Sequence, residues 1–365
     1  MNKKIFLWAS FVLLNMQAML VNAQDHQTEN IILITLDGLR WQEVFKGSDS
    51  LMVDDTGMIK EAGSLLKEFW NENPVQRRKM LMPFFWQTIA KEGQIYGNRA
   101  YGNLVDNSNK MWFSYPGYNE VLAGFADDVR INSNSKINNP NVTFLEYLNQ
   151  NPEFKGKILA FGSWDVFPYI INEERSGVAV NAGFDVAEGD NLSPEERLTN
   201  KLQSEIRGPW GGVRFDAFTH SYAMEALQNK KPKVLYISYG ETDDYAHENH
   251  YDQYLWSAKQ TDAYIKEIWD FVQTDPRYKD KTTMIITTDH GRGITKTSWR
   301  DHGSSVPEGG EIWIAAIGPD TAPSGEMKSK GQWYSAMIPR TIFQLLGMEY
   351  PDEKAAKAIE EMVGR

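Results

Sequence analysis

The sequence predicts a three-layer α/β sandwich, with a mostly parallel central sheet and helices on both faces. Three runs of apolar or β-branched residues, at 31–36, 234–239 and 283–288, are typical of strands buried on both faces. Acidic or imidazole-bearing residues follow each run, and parallel strands would bring them to one edge of the sheet. An amphipathic helix expected at 251–272 suits a crossover between the last two of these strands.

The first 23 residues are expected to be a secretory signal peptide. Two lysines precede an apolar run at 5–21, and Ala23 supplies a small residue before the expected cut. The mature chain would then be periplasmic or secreted, with no membrane span left after cleavage. The chain has no cysteine, which excludes disulfides and thiolate ligands and suits a bacterial periplasm.

Composition narrows the class of partner. The formal net charge is −11, and loss of the signal peptide, which carries two lysines and no acid, makes it −13. An acidic chain of this kind is not expected to bind nucleic acid through a basic face. Residues 24–365 are expected to form a single catalytic domain with lid insertions at about 45–110 and 130–225.

The strand expected at 31–36 delivers Asp37 and Gly38 to its C-terminal end. The mixed, charged segment that follows has a predicted helix at 60–71 and is assigned to the lid. A polar loop is predicted at 103–110. Further elements are expected as a loop at 132–140, a helix at 144–149, a strand at 157–161, helices starting at Ser193 and at 216, a strand at 312–317 and a helix at 337–346.

A candidate nucleophile lies between these elements. Pro116 is predicted to be the first residue of a helix that stops at Gly124, so Ser114 would lie just ahead of the helix N-terminus. Unpaired N–H groups and the helix dipole favour an anion there. Ser114 could equally be a simple capping residue.

Candidate metal ligands follow the later strands. Asp243 and His247 are four residues apart and would share one face of a helical turn, with Asp244 and His250 as neighbouring alternatives. The run at 283–288 leads into Asp289, His290 and Gly291, and His302 follows from a loop; taken alone, Asp289 could be a helix or turn cap. A mixed carboxylate and imidazole set suits zinc or manganese.

Together these motifs resemble the alkaline phosphatase superfamily, most of all its type I phosphodiesterase/nucleotide pyrophosphatase branch. Cofactor-independent phosphoglycerate mutase has a similar ligand set. The motifs span nearly all of the mature chain: Asp37-Gly38-Leu39-Arg40, Ser114 in a Ser-x-Pro context, Asp243 with His247, Asp289-His290-Gly291, and His302.

The resemblance implies two divalent metal ions, Zn²⁺ or Mn²⁺. One would be held by Asp37, Ser114, Asp289 and His290, and the other by Asp243, His247 and His302. The phosphodiesterase branch uses a threonine nucleophile in a Thr-x-Pro-Asn context and a second asparagine that assists the phosphoryl oxygens. Here Ser114 takes the nucleophile position and Gly117 replaces the first asparagine, while Asn132, or else Asn134, matches the second.

The implied function is a secreted two-metal phosphoesterase that hydrolyses phosphate mono- or diesters of small molecules through a phosphoserine intermediate. Alternatives are a phosphotransferase or mutase, a sulfatase-like enzyme, and a metal-stabilised glycan-binding protein. Tyr118 stands where sulfatases have the arginine of their modification motif, which disfavours a converted sulfatase nucleophile.

Overall fold

The computed structural model describes residues 26–364 except for residues 54, 56, 60 and 61. The expected signal peptide lies outside the described residues. In chain order the strands are β1 Asn30–Leu36, β2 Gln94–Tyr96, β3 Asn103–Asp106, β4 Ile158–Gly162, β5 Ala179–Ala182, β6 Val234–Tyr239, β7 Thr282–Thr287, β8 Glu311–Ile312, β9 Ile314–Ile317, β10 Gly325–Glu326 and β11 Gly331–Tyr334.

Helices surround these strands, and several of them are single turns. In chain order they are α1 Trp41–Lys46, α2 Ala62–Phe69, α3 Pro74–Leu81, α4 Ala90–Glu92 after a π-helical segment at Phe85–Ile89, α5 Ser114–Ala123, α6 Phe144–Gln150, α7 Phe167–Ile170, α8 Glu173–Ser176, α9 Pro194–Glu205, α10 Asp216–Asn229, α11 Glu241–His247, α12 Tyr251–Thr274 and α13 Ile338–Leu345. No helix of the described residues has both the length and the apolarity that a membrane span requires.

Eight strands form the central sheet, in the order β10-β2-β9-β7-β1-β6-β4-β5. Within the part of the chain that the structure describes, β9 alone runs against its neighbours, because it is antiparallel to both β2 and β7. The prediction of a mostly parallel sheet is therefore confirmed. Strand β1 lies between β6 and β7, with Leu36 opposite Tyr239 and Thr35 opposite Thr287. The residues that follow these three strands consequently emerge side by side.

A hydrophobic layer covers each face of the sheet, as the uninterrupted apolar runs predict. Along β1, Ile32 and Ile34 point into one layer and Ile31 and Leu33 into the other. Helices α10 and α12 pack into the first layer, and α5, α6 and α13 into the second. The sheet is thus the middle of three layers.

Several short strands depart from the expectations. The segment predicted as a polar loop at 103–110 begins with β3, which pairs with β8 and β11 in a separate three-stranded sheet. The two segments expected as lid insertions also contribute β2, β4 and β5 to the central sheet. Those strands belong to the core, and only the remainder of each segment is free to cover a pocket.

Helix boundaries follow recognisable caps. Helix α9 begins with the predicted Ser193 cap, completed by Glu196 as a capping box. Helix α5 begins at Ser114, not at Pro116 as predicted, because the extended backbone of Phe113 occupies the N-cap position. The same helix ends where Gly124 takes a left-handed conformation, with φ at 87°.

Candidate metal centre

The first carboxylate comes from the end of β1. Asp37 is buried, and its Oδ2 accepts a hydrogen bond of 2.8 Å from Tyr118 Oη, while its Oδ1 has no hydrogen-bond partner. The chain turns away at once through Gly38, which has φ of +60°. A Cβ at Gly38 would lie 2.8 Å from both Asp243 Oδ1 and Arg292 Nη1. Glycine is therefore required where this turn passes between the ligands.

The end of β7 supplies Asp289 and His290, both fully buried. Asp289 Oδ1 accepts a hydrogen bond of 3.1 Å from the Gly38 amide, and its Oδ2 has no hydrogen-bond partner. His290 Nδ1 lies 2.9 Å from the carbonyl oxygen of Gly291, so Nδ1 carries the proton and Nε2 keeps a free lone pair. That Nε2 is 3.2 Å from Asp37 Oδ1 and 3.5 Å from Asp289 Oδ2.

Helix α11, which follows β6, carries the next two side chains. Asp243 and His247 lie one helical turn apart, and His247 Nε2 is 3.1 Å from Asp243 Oδ2. Gly240 offers no side-chain cap to this helix, so Asp216 of α10 caps it from a distance. Asp216 accepts hydrogen bonds of 2.7 Å from the Gly240 amide and 3.2 Å from the Glu241 amide. The position of both side chains thus depends on Asp216.

His302 completes the arrangement from the loop after β7. Its Nε2 is 2.9 Å from His247 Nε2 and 3.6 Å from Asp243 Oδ1. Its Nδ1 lies 3.2 Å from the carbonyl oxygen of Trp112, an acceptor that fixes the proton on Nδ1. Trp112 has φ of 49°, a left-handed conformation that is uncommon for a tryptophan and is typical of backbone near functional sites.

These side chains form two ligand groups. The first ligand group is Asp37, Asp289 and His290, and the second is Asp243, His247 and His302. Within each group one donor atom per residue lies within 4.8 Å of the others. Donors around a first-row metal with bonds of about 2.0–2.2 Å have similar spacings. Among the described residues, Asp37 Oδ1 and Asp289 Oδ2 are buried carboxylate oxygens without a hydrogen-bond partner, and both face His290 Nε2, so the donor set fits a bound cation.

Electrostatics support the same interpretation. Burial and the nearby Asp243 raise the pKa of the Asp37 carboxyl well above its usual value, and burial and Asp37 do the same to the pKa of Asp289. For Asp243 burial opposes ionisation, but Arg292 holds its pKa well below the usual range. Burial and His290 lower the pKa of His302 well below its usual value, which keeps the ring neutral. Metal ions bind ionised carboxylates and neutral imidazoles, so a cation between Asp37 and Asp289 would offset the burial and repulsion that raise the pKa values of these two carboxyls.

Ser114 lies against the first ligand group. It is buried at the first position of α5, and its Oγ is 3.4 Å from His290 Nε2. The helix is pressed against the end of β7, because a Cβ at Gly117 would lie 2.3 Å from the carbonyl oxygen of Asp289. Glycine is therefore required at position 117, since any side chain there would collide with the backbone.

Comparison with solved structures identifies the fold. The alkaline phosphatase PafA superposes with a TM-score of 0.58 at 10% identity, covering 92% of this chain and 99% of that one. The chain has the fold of that alkaline phosphatase. The 2-O GAG sulfatase BT1596 has the same fold with a TM-score of 0.55 at 13% identity, covering 92% of this chain and 74% of that one. The predicted resemblance to the superfamily is confirmed, and the narrower similarity to its phosphodiesterase branch stays a prediction.

Sequence comparisons agree with this fold. The family model of the Metalloenzyme superfamily matches residues 194–349, which contain the second ligand group and the Asp289-His290 pair. GPI ethanolamine phosphate transferase 1 from Homo sapiens is 25% identical over 230 residues. That match covers 62% of this chain but only 22% of the human protein.

The two asparagines that the alkaline phosphatase resemblance singles out differ in position. Asn134 lies at the N-terminus of α5, where its Oδ1 accepts a hydrogen bond of 3.0 Å from the Tyr115 amide. Asn132 is exposed, and its amide nitrogen donates to the carbonyl oxygen of Val129 at 3.3 Å. The contact with Tyr115 places Asn134 beside the residue that follows Ser114.

Sequence reasoning missed three side chains of this candidate metal centre. Tyr118, Asp216 and Arg292 each contact a ligand or the start of the helix that carries two ligands. Arg292 had a usable signal, because a lone arginine directly follows the Asp-His-Gly motif. The neighbouring alternatives lie outside both ligand groups: His250 pairs with Glu248 at 3.3 Å, and Asp244 contributes no donor to either group.

Proposed function

We propose that this chain is a two-metal phosphoesterase whose nucleophile is Ser114. The observation that carries the proposal is the Ser114 hydroxyl, 3.4 Å from His290 Nε2 at the first residue of α5. A ten-residue helix favours negative charge at its N-terminus, and the first ligand group lies beside it. A purely capping role is not supported, since Phe113 is the N-cap residue and its side chain makes no cap hydrogen bond.

Two divalent ions, Zn²⁺ or Mn²⁺, would be held by the two ligand groups and would supply positive charge to the Ser114 oxygen and to the phosphoryl oxygens. The first ligand group would share its ion with Ser114 Oγ. The protein's part is to fix the donors: the Gly291 and Trp112 carbonyls set the tautomers of His290 and His302, and Gly38 lets the carboxylates approach each other.

The reaction follows from the position of the hydroxyl. Ser114 loses its proton to solvent water, and its Oγ forms a bond to phosphorus as the bond to the ester oxygen breaks. The alcohol leaves with a proton from solvent, and Ser114 carries the phosphoryl group. A water molecule then adds to phosphorus and the Ser114 oxygen leaves, so that a monoester yields inorganic phosphate and a diester yields a monoester.

Backbone donors at the start of α5 suit the developing charge. The Tyr115 amide donates to Asn134, the Gly117 amide donates to the carbonyl of Phe113, and Pro116 has no N–H. Among the described residues, the Ser114 amide has no acceptor in this first turn. We infer that it stabilises a phosphoryl oxygen, and that Asn134 is better placed than Asn132 to assist.

The substrate class is a small phosphoester outside the cytoplasm, if the expected signal peptide directs export. The parts of 45–110 and 130–225 that do not belong to the sheet would cover the substrate. The acidic net charge of −11 does not favour a nucleic acid as the substrate.

A second candidate is transfer of the phosphoryl-linked group to an alcohol. The similarity to GPI ethanolamine phosphate transferase 1 favours it, because a covalent intermediate on Ser114 can be resolved by an alcohol as well as by water. The sulfatase BT1596 has the same fold, but Tyr118 stands where sulfatases have the arginine of their modification motif. In this chain the Tyr118 hydroxyl donates a hydrogen bond to Asp37 and so orients a candidate metal ligand.

Replacement of Ser114 tests the proposal. Ser114→Ala should lower phosphoester turnover by several orders of magnitude while both ions remain bound, and a phosphopeptide containing Ser114 should be trapped at low pH in the unaltered protein. Ser48→Ala is the matched control, since the Ser48 hydroxyl is buried and bonds only the Phe69 carbonyl at 2.8 Å. That variant should lose about 1 kcal/mol of stability and keep its turnover.

The assay uses phosphate monoesters, phosphate diesters and sulfate esters, each with and without chelator and with an added alcohol. Phosphorylated alcohol as the main product would favour the transferase, and release of sulfate alone would favour the sulfatase. Equal turnover by Ser114→Ala and the unaltered protein would refute the nucleophile. Binding of a glycan with no turnover of any of these esters would favour the metal-stabilised glycan-binding protein instead of an enzyme.

A further inference from the structure

A buried arginine joins the two parts of the second ligand group. Arg292 is 1% exposed, and its Nη1 contacts Asp243 Oδ1. Its Nε donates a hydrogen bond of 2.9 Å to the carbonyl oxygen of Trp299, and its Nη2 donates to the carbonyl oxygen of Arg300. Trp299 and Arg300 lead directly to His302. One guanidinium therefore contacts a ligand from α11 and the backbone that presents a ligand from a loop.

Other hydrogen bonds also hold the loop that leads to His302, but they do not reach the second ligand group. The Trp299 indole donates a hydrogen bond of 3.0 Å to Asn249, and the Gly293 amide donates one of 3.1 Å to the carbonyl of Asp301. Neither of these hydrogen bonds involves a residue of the second ligand group. Arg292 sets the distance between Asp243 and the segment that carries His302.

The geometry of the contact needs a guanidinium. The three acceptors lie around one planar group with donors in fixed directions, whereas a lysine ammonium is a single point that cannot reach them all. The positively charged guanidinium of Arg292 also forms an ion pair with Asp243, which is the one carboxylate of the second ligand group. The first ligand group has two carboxylates, and among the described residues neither of them forms an ion pair with an arginine or a lysine. A change at Arg292 should consequently affect the two groups unequally.

We infer that Arg292 is a positioning residue for the second ligand group, holding Asp243 and His302 at the spacing that a divalent ion requires. The inference rests on the proposed two-metal function for the identity of the ligands. It goes beyond that function in assigning the preorganisation of one ion site to a residue that belongs to neither ligand group.

Zn²⁺ binding tests the inference without reference to turnover. Titration of the metal-free protein with Zn²⁺ alone, against a chromophoric chelator, should show two ions in the unaltered protein. In Arg292→Lys the first ion should bind unchanged and the second ten- to a hundredfold more weakly, the range for residues that support a ligand. His302→Ala provides the reference for loss of the second ion.

Arg214→Lys is the matched control. Arg214 is also 1% exposed and also donates to backbone carbonyls, those of Asn181 and Asp185, but it contacts neither ligand group. It should lose stability and keep both ions. The charge effect is separated by Arg292→Gln, which retains a planar donor without the charge. The glutamine variant has no positive charge to repel a bound cation. A positioning role nevertheless predicts that Arg292→Gln also loses affinity for the second ion.

Unchanged binding of both ions by Arg292→Lys would overturn the inference. So would tighter binding of the second ion by Arg292→Gln, which would show that the charge and not the position matters. Loss of native circular dichroism in both variants would assign Arg292 to the fold and overturn the inference as well. A protein that binds two ions and cleaves no phosphoester would instead refute the proposed function and leave this inference standing.

Discussion

Tyr118 Oη donates its hydrogen bond to one oxygen of Asp37, while the other oxygen of the same carboxylate lies 3.2 Å from His290 Nε2. The hydroxyl thus fixes the rotation of the carboxylate and directs the second oxygen toward the other donors. Ser238 in turn donates a hydrogen bond of 3.1 Å to Tyr118 Oη. A buried chain of hydroxyls therefore orients the first ligand group.

Loss of this hydroxyl should weaken one ion. We expect Tyr118→Phe to lower the affinity of the first ligand group for Zn²⁺ ten- to a hundredfold, because Asp37 can then rotate. Tyr278→Phe is the control, since the buried Tyr278 hydroxyl donates to the Pro232 carbonyl at 2.9 Å and contacts no ligand. Competition with a chelator measures the Zn²⁺ affinity of both variants. Equal Zn²⁺ affinities of Tyr118→Phe and the control would show that the Asp37 carboxylate does not need the Tyr118 hydroxyl.

Gly38 should be intolerant of a side chain for two separable reasons. Gly38→Ala places a Cβ in a left-handed backbone and within 2.8 Å of Asp243 Oδ1 and Arg292 Nη1. Gly156 has φ of +72° with nothing within 4 Å of its Cβ position, so Gly156→Ala isolates the backbone strain. Both variants should lose about 1–2 kcal/mol of stability from that strain. Only Gly38→Ala should also lose ion binding and turnover, measured by elemental analysis and steady-state kinetics.

Removal of the ions should destabilise the whole domain. An ion at a hundredfold excess over its Kd adds about 2.7 kcal/mol to the free energy of unfolding. Calorimetry should accordingly give a lower unfolding midpoint with chelator, and elemental analysis should give two ions per chain in metal-replete protein. His247→Ala should retain one ion and part of the stabilisation. A single ion in the unaltered protein would contradict the two-ion arrangement.

Asp262 predicts a pH dependence of stability that is independent of the metal centre. Burial raises the pKa of this carboxyl to about 7, although it accepts hydrogen bonds from the Phe84 and Phe85 amides. Because the unfolded carboxyl titrates near pH 4, the folded state binds more protons between about pH 4 and 7, and stability falls as the pH rises through this window.

The free energy of unfolding should fall by about 1.4 kcal/mol per pH unit over that window. The total loss should be on the order of 4 kcal/mol. Asp262→Asn removes the titration. The difference in the free energy of unfolding between this variant and the unaltered protein, from urea denaturation at pH 5, 6 and 7, should therefore grow in the variant's favour. A constant difference would show that the carboxyl is not destabilising when ionised.

The sequence predicted the centre of the sheet well because β1, β6 and β7 are long apolar runs with ligands at their ends. Parallel pairing brings those ligands together, so that convergence needed no tertiary information. The short strands were missed for the opposite reason. Gln94–Tyr96 and Asn103–Asp106 have no periodicity of their own and are strands only because distant partners bind them.

Roles that depend on distant contacts were also beyond a sequence pattern. Asp216 looks like the first residue of an ordinary helix, yet its carboxylate caps another one. The start of α5 was misplaced because Phe113 is the N-cap through its backbone alone, and no polar side chain marks it. The choice between Asn132 and Asn134 depends on the path of a loop, which composition does not specify.

Strand β1 lies in the middle of the central sheet although it is the first strand of the described residues. Its partners β6 and β7 begin only at Val234 and Thr282. During synthesis β1 is therefore an apolar strand with two unpaired edges until the residues of β6 and β7 have been made. Fragments that end before Val234 should aggregate, and refolding of the full chain should be slow and sensitive to protein concentration.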